Sequence, residues 1–243
     1  MITLNLLIAI TLLTGACTKD EVADATNTTT TTTTTTTTNG TATTYTNVAY
    51  ATTSSAQVMD IYLPSGSGPF PVVVIIHGGA FLMGSKSGES ANCAALTAQG
   101  YAAVSIDYRL SGEAKFPAQI QDCKAAVRFL KANATKYKLN PDKMGSWGGS
   151  AGGNLASMLG TSSGVTELEG ASLGNSSFSS KVIATVDWFG PINFLTMDAE
   201  AAALGFTINT NSASSPESTL MNAAVQTIPD QVAKANPTTY ITA

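Results

Sequence analysis

The sequence predicts an α/β fold built on a mostly parallel sheet, and two patterns support that prediction. Largely apolar runs at 72–76 and 102–106 are typical of strands that are buried on both faces. After the second run, apolar residues recur at three- and four-residue spacing along one helical face: Ile120, Cys123, Val127, Leu130, Ala134 and Tyr137. Strands that alternate with helices predict βαβ units and a sheet covered on both faces.

An antiparallel hairpin is predicted ahead of the parallel strands. Two β-rich runs at 45–51 and 57–63 are joined by the short polar segment 52–55. Such a spacing is typical of neighbouring antiparallel strands. The segment 64–71, rich in Gly, Pro and Ser, is predicted to be a loop.

The second half of the chain is predicted to continue the alternation. The helix with the periodic apolar face is expected to begin near Pro117. The tripeptide at 140–142, Asn-Pro-Asp, is predicted to end that helix and turn into a short strand at 144–147. A helix is predicted at 151–159, and the run at 182–188 predicts another buried strand, although less cleanly.

The N-terminal residues 1–16 are typical of a lipoprotein-type signal peptide. An apolar run at 4–13 is followed by Gly15 and Ala16, and then by Cys17. This order resembles a bacterial lipobox, in which the cysteine carries the lipid. We therefore expect Cys17 to anchor the protein to a membrane as an outer-membrane lipoprotein of the cell envelope, at the surface or in the periplasm. The alternative is a secretory signal with an incidental cysteine.

Residues 17–44 are predicted to be a disordered tether. They are mostly Thr, Asn and Ala, with unbroken threonine from 28 to 38. Such a segment has too little apolar surface to offset the entropy cost of ordering. The β-propensity of threonine leaves a strand as the alternative, but a homopolymer has no alternation to fix its register. The α/β domain is then expected to occupy residues 45–243.

The composition excludes several classes of partner. The net charge is −4, and the few Lys and Arg residues are scattered, so we expect no nucleic-acid partner. The sequence has no cluster of His, Cys and carboxylates, so we expect no metal and no cofactor. Cys93 and Cys123 are predicted to be two buried thiols, with a disulfide between them as the alternative.

The stretch Gly148-Gly149-Ser150-Ala151-Gly152 fits the G-x-S-x-G pattern of a nucleophile elbow. A strand is predicted before it and a helix after it, which is the context that this motif requires. Glycines at 148 and 152 let strand and helix pack closely. Ser150 would then lie at the positive end of a helix, where the Ala151 N–H stabilises a developing oxyanion.

A second motif, His77-Gly78-Gly79-Ala80-Phe81, directly follows the first buried run. Adjacent glycines allow consecutive backbone N–H groups to point at one position, so Gly79 and Ala80 are the predicted oxyanion donors alongside Ala151. With Gly78, His77 is expected to support the loop through hydrogen bonds. Its use as the catalytic base is the alternative.

Taken together, these motifs resemble the feruloyl-esterase-like (BD-FAE-like) branch of the α/β-hydrolases, which is related to the hormone-sensitive-lipase-type esterases. Four blocks carry the resemblance in the expected order: HGGAF at 77–81, DYRL at 107–110 with FPAQ at 116–119, WGGSAGGNLA at 147–156, and VDWFGPINF at 186–194. The resemblance covers the chain from about residue 45 to the C-terminus. It implies the α/β-hydrolase fold.

The resemblance also assigns roles to single residues. It makes Ser150 the nucleophile and implies that Arg109 and Asp122 form an ion pair that supports the site. A surface pair of little energetic value is the alternative. Asp187 and Trp188 match the end of a buried strand, where they are expected to serve as architecture and pocket wall rather than as the acid of a triad.

Members of this family continue beyond the position of 235–237 with a strand and loops that supply the Asp and His of the triad. This sequence stops at Ala243 and contains one histidine. We therefore expect an incomplete domain that lacks the C-terminal strands and helices, with an uncovered sheet edge, a tendency to aggregate and almost no activity. The expected cause is truncation, and a natural pseudo-enzyme is the alternative.

The resemblance predicts a serine carboxylic-ester hydrolase that acts through an acyl-enzyme. Its expected partners are small esters or esters linked to polysaccharides, such as feruloyl or acetyl groups. Two alternatives stand beside it: a non-catalytic surface lipoprotein that binds a ligand in the pocket, and a peptidase of the same fold. The segment 196–226 is a candidate lid.

Overall fold

The computed structural model of the chain describes residues 33–36 and 42–241. The predicted signal peptide, Cys17 and most of the predicted tether therefore lie outside the described residues. The strands are β1 (Thr33–Thr36), β2 (Thr43–Ala49), β3 (Val58–Leu63), β4 (Phe70–Ile76), β5 (Ala102–Ile106), β6 (Leu139–Gly149) and β7 (Ala184–Trp188). The helices are α1 (Ser90–Ala98), α2 (Ala118–Ala132), α3 (Ala151–Thr161), α4 (Thr166–Glu169), α5 (Met197–Ala203), α6 (Pro216–Met221) and α7 (Pro229–Ala233).

These strands form one sheet in the order β1-β2-β3-β5-β4-β6-β7. The four strands β5, β4, β6 and β7 are parallel, whereas β1, β2 and β3 join them in antiparallel pairs. This arrangement confirms the predicted α/β fold with an N-terminal antiparallel hairpin. Ile76 at the end of β4 pairs with Ile106 of β5 and with Gly148 of β6. The loops that follow these three strands therefore emerge at the same edge of the sheet.

Helices cover both faces of the sheet, as predicted. Val72, Val74 and Ile76 of β4 belong to the large core that includes α2 and α3. On the opposite face, Ile75 packs in a smaller cluster with Cys93 of α1. Cys123 lies in the large core, and both cysteines are free and buried. The two thiols are thus in different clusters, which confirms two buried thiols rather than a disulfide.

Strand β1 differs from the predicted tether. Thr33–Thr36 pairs antiparallel with β2, from Thr33 opposite Thr46 to Thr36 opposite Thr43. The backbone of β2 offers hydrogen-bond partners at this edge of the sheet, and β-branched threonine suits a strand. Four residues of the segment assigned to the tether thus form a strand, and β2 itself begins at Thr43, inside the same segment.

Strand β6 is longer than predicted, because it begins at Leu139 instead of near Met144. Helix α2 already ends at Ala132, so the tripeptide at 140–142 lies inside the strand and does not end the helix. The pairing of β6 with β4 shifts register between Phe70 and Val72 of β4, opposite this tripeptide. A proline is tolerated at such an irregularity because the ladder is already interrupted there.

Strand β7 confirms the predicted strand position but not its burial on both faces. Val186 is 48% exposed and Trp188 is 49% exposed. Within the described residues β7 pairs with β6 alone and lies at the edge of the sheet. The face that carries these two side chains therefore stays open.

No helix in the described part of the chain is both long enough and apolar enough to span a membrane.

Candidate active site

Ser150 lies at the junction of β6 and α3, in a conformation that few non-glycine residues adopt. Its backbone angles are φ 55° and ψ −125°. The Ser150 N–H donates to the Trp188 carbonyl at 2.8 Å, and the Ser150 carbonyl accepts from the Asn154 N–H at 3.1 Å. Bonds on both sides thus hold a strained residue in place, as expected for a nucleophile elbow.

The glycines of the elbow are required by close backbone contacts. A Cβ atom at Gly152 would lie 2.0 Å from the carbonyl oxygen of Ile76, at the end of β4. A Cβ atom at Gly148 would lie 2.2 Å from the carbonyl oxygen of Gly152. No side chain fits at either position, so the two glycines let the start of α3 pack directly on the central strand.

The glycine loop lies against this elbow. A Cβ atom at Gly78 would be 2.9 Å from the Gly149 carbonyl oxygen and 3.5 Å from the Ser150 Cβ. The Gly79 carbonyl accepts from the N–H groups of the following turn, whereas the N–H groups of Gly79 and Ala80 find no acceptor among the described residues. Ala151 is the first residue of α3, so its N–H has no intrahelical acceptor. The three predicted oxyanion donors are therefore unpaired among the described residues, and Gly78, the neighbour of Gly79, lies against Ser150.

Ser150 opens into a cavity of about 600 Å³. Ala80 and Ala151 line it next to the serine, so two of the three predicted donors share one space with the predicted nucleophile. The candidate lid segment supplies a wall of this cavity through residues of α5, the following loop and α6: Met197, Glu200, Ala201, Leu204, Ile208 and Glu217.

His77 is 3% exposed, and its ring is engaged in holding the glycine loop. Its Nδ1 donates to the Gly78 carbonyl at 2.7 Å, and its ring stacks on Tyr108 with 4.4 Å between centroids. The Nε2 atom is 3.9 Å from Asp107 Oδ1. Burial lowers the pKa of His77, which favours the neutral ring. These contacts fit the predicted supporting role, and His77 is not among the residues that line the Ser150 cavity.

Arg109 and Asp122 form a buried pair with two-point geometry. Arg109 Nε donates to Oδ2 at 2.9 Å, and Nη2 donates to Oδ1 at 2.8 Å. The Arg109 N–H and Gln57 Nε2 also donate to the same carboxylate, at 2.9 and 2.8 Å. Asp122 is fully buried. The alternative of a surface pair is therefore wrong, and the ion pair that the resemblance implies is present.

Asp187 has the architectural contacts expected of it, whereas Trp188 does not form the expected pocket wall. The Asp187 carboxylate accepts from Ser157 Oγ and from the Gly190 N–H, both at 2.7 Å. The Trp188 ring packs edge-on against Trp147 at 4.8 Å. Because side chains alternate along a strand, Trp188 lies on the other face from Asp187, and the next residue, Phe189, lines the cavity instead.

Glu217, which the sequence motifs do not indicate, lines the same cavity as Ser150. It is 7% exposed, and its Oε2 atom has no hydrogen-bond partner among the described residues. Burial raises the pKa of Glu217, and the charge of Asp198 raises it further, although hydrogen bonds from its own N–H and from Ser215 act in the opposite sense. An acid just after a Ser-Pro helix start is common, so the sequence offers no signal for this residue.

The described residues contain no group of three or more His, Cys, Asp or Glu side chains arranged to hold a metal ion.

A strained serine between a parallel strand and a helix, beside a glycine loop from the neighbouring strand, defines the α/β-hydrolase fold. The chain belongs to the BD-FAE family, whose model matches residues 59–243. This finding confirms the resemblance drawn from the sequence motifs.

Relatives and solved structures carry esterase names. Esterase LipC of Mycobacterium tuberculosis is 34% identical over 110 residues, which are 43% of this chain and 27% of LipC. The arylesterase of Saccharolobus solfataricus is 38% identical over 96 residues, 39% of this chain and 31% of that protein. The matches thus span less than a third of either curated relative.

Two solved structures match more of the chain. The bifunctional GH43-CE of Bacteroides eggerthii is 40% identical with a TM-score of 0.74, covering 82% of this chain and 29% of the other. A truncated form of a carbohydrate esterase from gut microbiota is 35% identical with a TM-score of 0.74, covering 82% of this chain and 72% of the other.

Proposed function

We propose that the chain is the nucleophile-bearing part of a serine carboxylic-ester hydrolase that acts through an acyl-enzyme. The observation that carries the proposal is the strained Ser150, which opens into a cavity with Ala80 and Ala151. The esterase names of the relatives support the same class of reaction. Enzymes of this class keep a strained nucleophile exposed at such a turn.

In the proposed reaction, Ser150 Oγ forms a bond to the carbonyl carbon of the ester and loses its proton. The negative charge that develops on the carbonyl oxygen is stabilised by the N–H groups of Gly79, Ala80 and Ala151. Collapse of this intermediate breaks the bond to the alcohol, which leaves with a proton. Water then attacks the acyl-serine, releases the carboxylic acid and returns the proton to Ser150.

The proton transfers limit what the 243-residue chain does by itself. Its single histidine, His77, is engaged with Gly78 and Tyr108. Loss of triad members costs on the order of a million-fold in kcat in subtilisin. We therefore expect the chain to be acylated slowly by an activated ester and to turn over more slowly still.

The test uses the 243-residue chain with p-nitrophenyl acetate. We expect slow p-nitrophenol release and an acetyl group that accumulates on Ser150, detected by intact mass and peptide mapping. Ser150→Ala should lose both signals, whereas Ser163→Ala, at an exposed serine, should keep them. Acetylation that is unchanged in Ser150→Ala would overturn the nucleophile. Rapid turnover that needs Ser150 would instead overturn the lack of a base.

The proposed substrates are esters on carbohydrates, such as acetyl or feruloyl groups. The names of the two structural neighbours, a GH43-CE protein and a carbohydrate esterase, support this choice. A peptidase remains the competing assignment. A panel of acetylated sugars, feruloyl esters and p-nitroanilide peptides, scored by labelling of Ser150, separates the two because each acyl group adds its own mass.

A non-catalytic binding protein is the second candidate, and the engagement of the only histidine favours it. It predicts saturable ligand binding in the cavity with no labelling of Ser150 by activated esters.

For either function we propose a lipid anchor on Cys17 that holds the protein in the cell envelope. Detergent-phase partitioning of the bacterially expressed full chain tests the anchor, because Cys17→Ala should move the protein to the aqueous phase.

A further inference from the structure

Glu217 is an unexplained carboxyl in the wall of the Ser150 cavity. Its Oε2 atom is buried and makes no hydrogen bond with any described residue. A buried carboxyl oxygen without a partner costs free energy, so native structures rarely keep one without a use. The proposed acyl transfer also leaves Glu217 without a role.

Helix α6 holds Glu217 firmly in this position. Ser215 Oγ accepts from the Ser218 N–H at 3.0 Å at the start of the helix. Ser218 Oγ donates to the Ser212 carbonyl at 2.7 Å, and the Leu220 carbonyl accepts from the Phe116 N–H at 3.1 Å. The helix is therefore tied both to the preceding loop and to the body of the domain, so the carboxyl has little freedom to seek a partner elsewhere.

The surroundings define which ligand group suits this carboxyl. The neighbouring walls are largely apolar, with Phe81, Met197 and Leu204, and no Lys or Arg lines the cavity within the described residues. Asp198 already accepts three hydrogen bonds from Thr210 and Asn211, and Glu200 accepts one from Thr196. The absence of a cation disfavours an anionic ligand group, and burial favours the protonated carboxyl. A neutral carboxyl both donates and accepts, as a hydroxyl does.

We propose that Glu217 binds a hydroxyl group of the substrate, so that the Ser150 cavity selects hydroxylated esters. The proposal rests on the proposed function for its substrate class, since an ester has to place its carbonyl at Ser150 while its hydroxyl reaches Glu217. The hydroxyl belongs either to the acyl group, as in a phenolic acid, or to the alcohol, as in a sugar. Glu217 is thus a specificity-determining residue rather than a catalytic one.

The experiment measures binding in the 243-residue chain with Ser150→Ala, so that no acylation interferes. The acyl arm compares methyl 4-hydroxycinnamate with methyl 4-methoxycinnamate. The alcohol arm compares a monoacetylated methyl xyloside with its O-methylated counterpart. We expect a preference of about tenfold for the hydroxylated ligand in one arm, as one hydrogen bond to a buried polar partner supports. Glu217→Leu should abolish this preference, while Glu113→Gln, at an exposed carboxylate outside the cavity, should keep it.

Glu217→Gln, which keeps a hydrogen-bonding group, should retain part of the preference, and melting curves establish that each variant is folded. An equal preference in Glu217→Leu and its parent would overturn the proposal, as would tighter binding of the matching 4-amino ester than of the hydroxyl ester. The result is independent of the Ser150 labelling test. Loss of labelling with an intact, Glu217-dependent preference refutes the proposed function alone, whereas labelling without that dependence refutes this inference alone.

Discussion

Asp122→Asn is expected to destabilise the fold strongly, because it removes the charge that four donors share. Asp122 accepts hydrogen bonds from the side chain and N–H of Arg109 and from Gln57, and it is fully buried. Removing one partner of a buried ion pair leaves the other charge uncompensated and costs about 3–5 kcal/mol. For a domain of this size, each kcal/mol lowers Tm by about 2–4 °C. The expected decrease in Tm is therefore about 6–20 °C.

The matched control is the exposed pair between Lys234 and Glu167. Their charged atoms are 3.0 Å apart, similar to the Arg109 pair, but both side chains are about half exposed, at 49% and 51%. Such a pair contributes about 0–1 kcal/mol, so Glu167→Gln should lower Tm by no more than about 4 °C. Salt should weaken the exposed pair far more, because solvent screens both of its charges, whereas the Asp122 carboxylate is fully buried.

Thermal unfolding followed by circular dichroism, at low and high salt, measures both variants. We expect a large decrease in Tm that depends little on salt for Asp122→Asn and a small, salt-dependent decrease for Glu167→Gln. If Asp122→Asn melted within about 2 °C of the parent chain, or no lower than the control, the pair would carry little stability despite its burial, and the reasoning would be refuted.

Three further predictions concern the elbow and the buried acids. Gly152→Ala should lower the free energy of unfolding by about 3 kcal/mol or more, or prevent folding, because its Cβ would lie 2.0 Å from the Ile76 oxygen. The control Gly88→Ala, where the added Cβ meets open space, should express and melt like the parent chain. Equal yields and melting curves for the two variants would contradict the close packing at Gly152. Glu169→Gln should destabilise the chain by about 3 kcal/mol at pH 7, because Glu169 accepts from buried Lys124 and Arg128. Burial acts to raise the pKa of Glu169, but hydrogen bonds from Lys124 and Ser180 lower it overall. The stabilisation by Glu169 is therefore lost as pH falls through the folded pKa. A stability difference between wild type and Glu169→Gln that does not shrink in acid would refute this role of the carboxylate. Burial raises the pKa of Glu217, so wild-type stability is lost as pH rises through the folded pKa. The Tm of Glu217→Gln relative to wild type should therefore rise between pH 4 and pH 8. A Tm difference that stays constant over this range would argue against a buried carboxyl that titrates.

The sequence predicted the parts of the site that local sterics dictate. The roles of the glycines at 148 and 152 could be predicted from the sequence because no larger residue fits at either position of the elbow. The loop at 77–81 could be predicted because it follows the most continuous apolar run of the sequence, which forms β4. In both places the constraint lies within a few residues of the chain, so the motif alone carries it.

What the sequence did not predict depends on contacts between distant parts of the chain. Strand β1 forms because β2 offers it an edge, and β6 extends through Pro141 because β4 tolerates a shift of register there. The position of Glu217 in the wall of the Ser150 cavity depends on how α6 packs against the domain, and no local sequence pattern indicates that packing. Trp188 was predicted to form pocket wall, but Phe189 lines the cavity, because the strand pattern fixes the alternation of side chains but not which face meets the cavity.

The contacts that hold the loop of the oxyanion donors in place also limit what His77 does. Its Nδ1 bond to Gly78 and its stacking on Tyr108 hold the loop that carries the donors, and Tyr108 in turn donates to the His77 carbonyl at 3.1 Å. A ring that turned away to accept the proton of Ser150 would break these contacts and release the loop. Support of the donors and proton transfer therefore exclude each other in one residue, and this chain has a single histidine. For that reason we expect an acyl-enzyme that forms and persists rather than one that turns over.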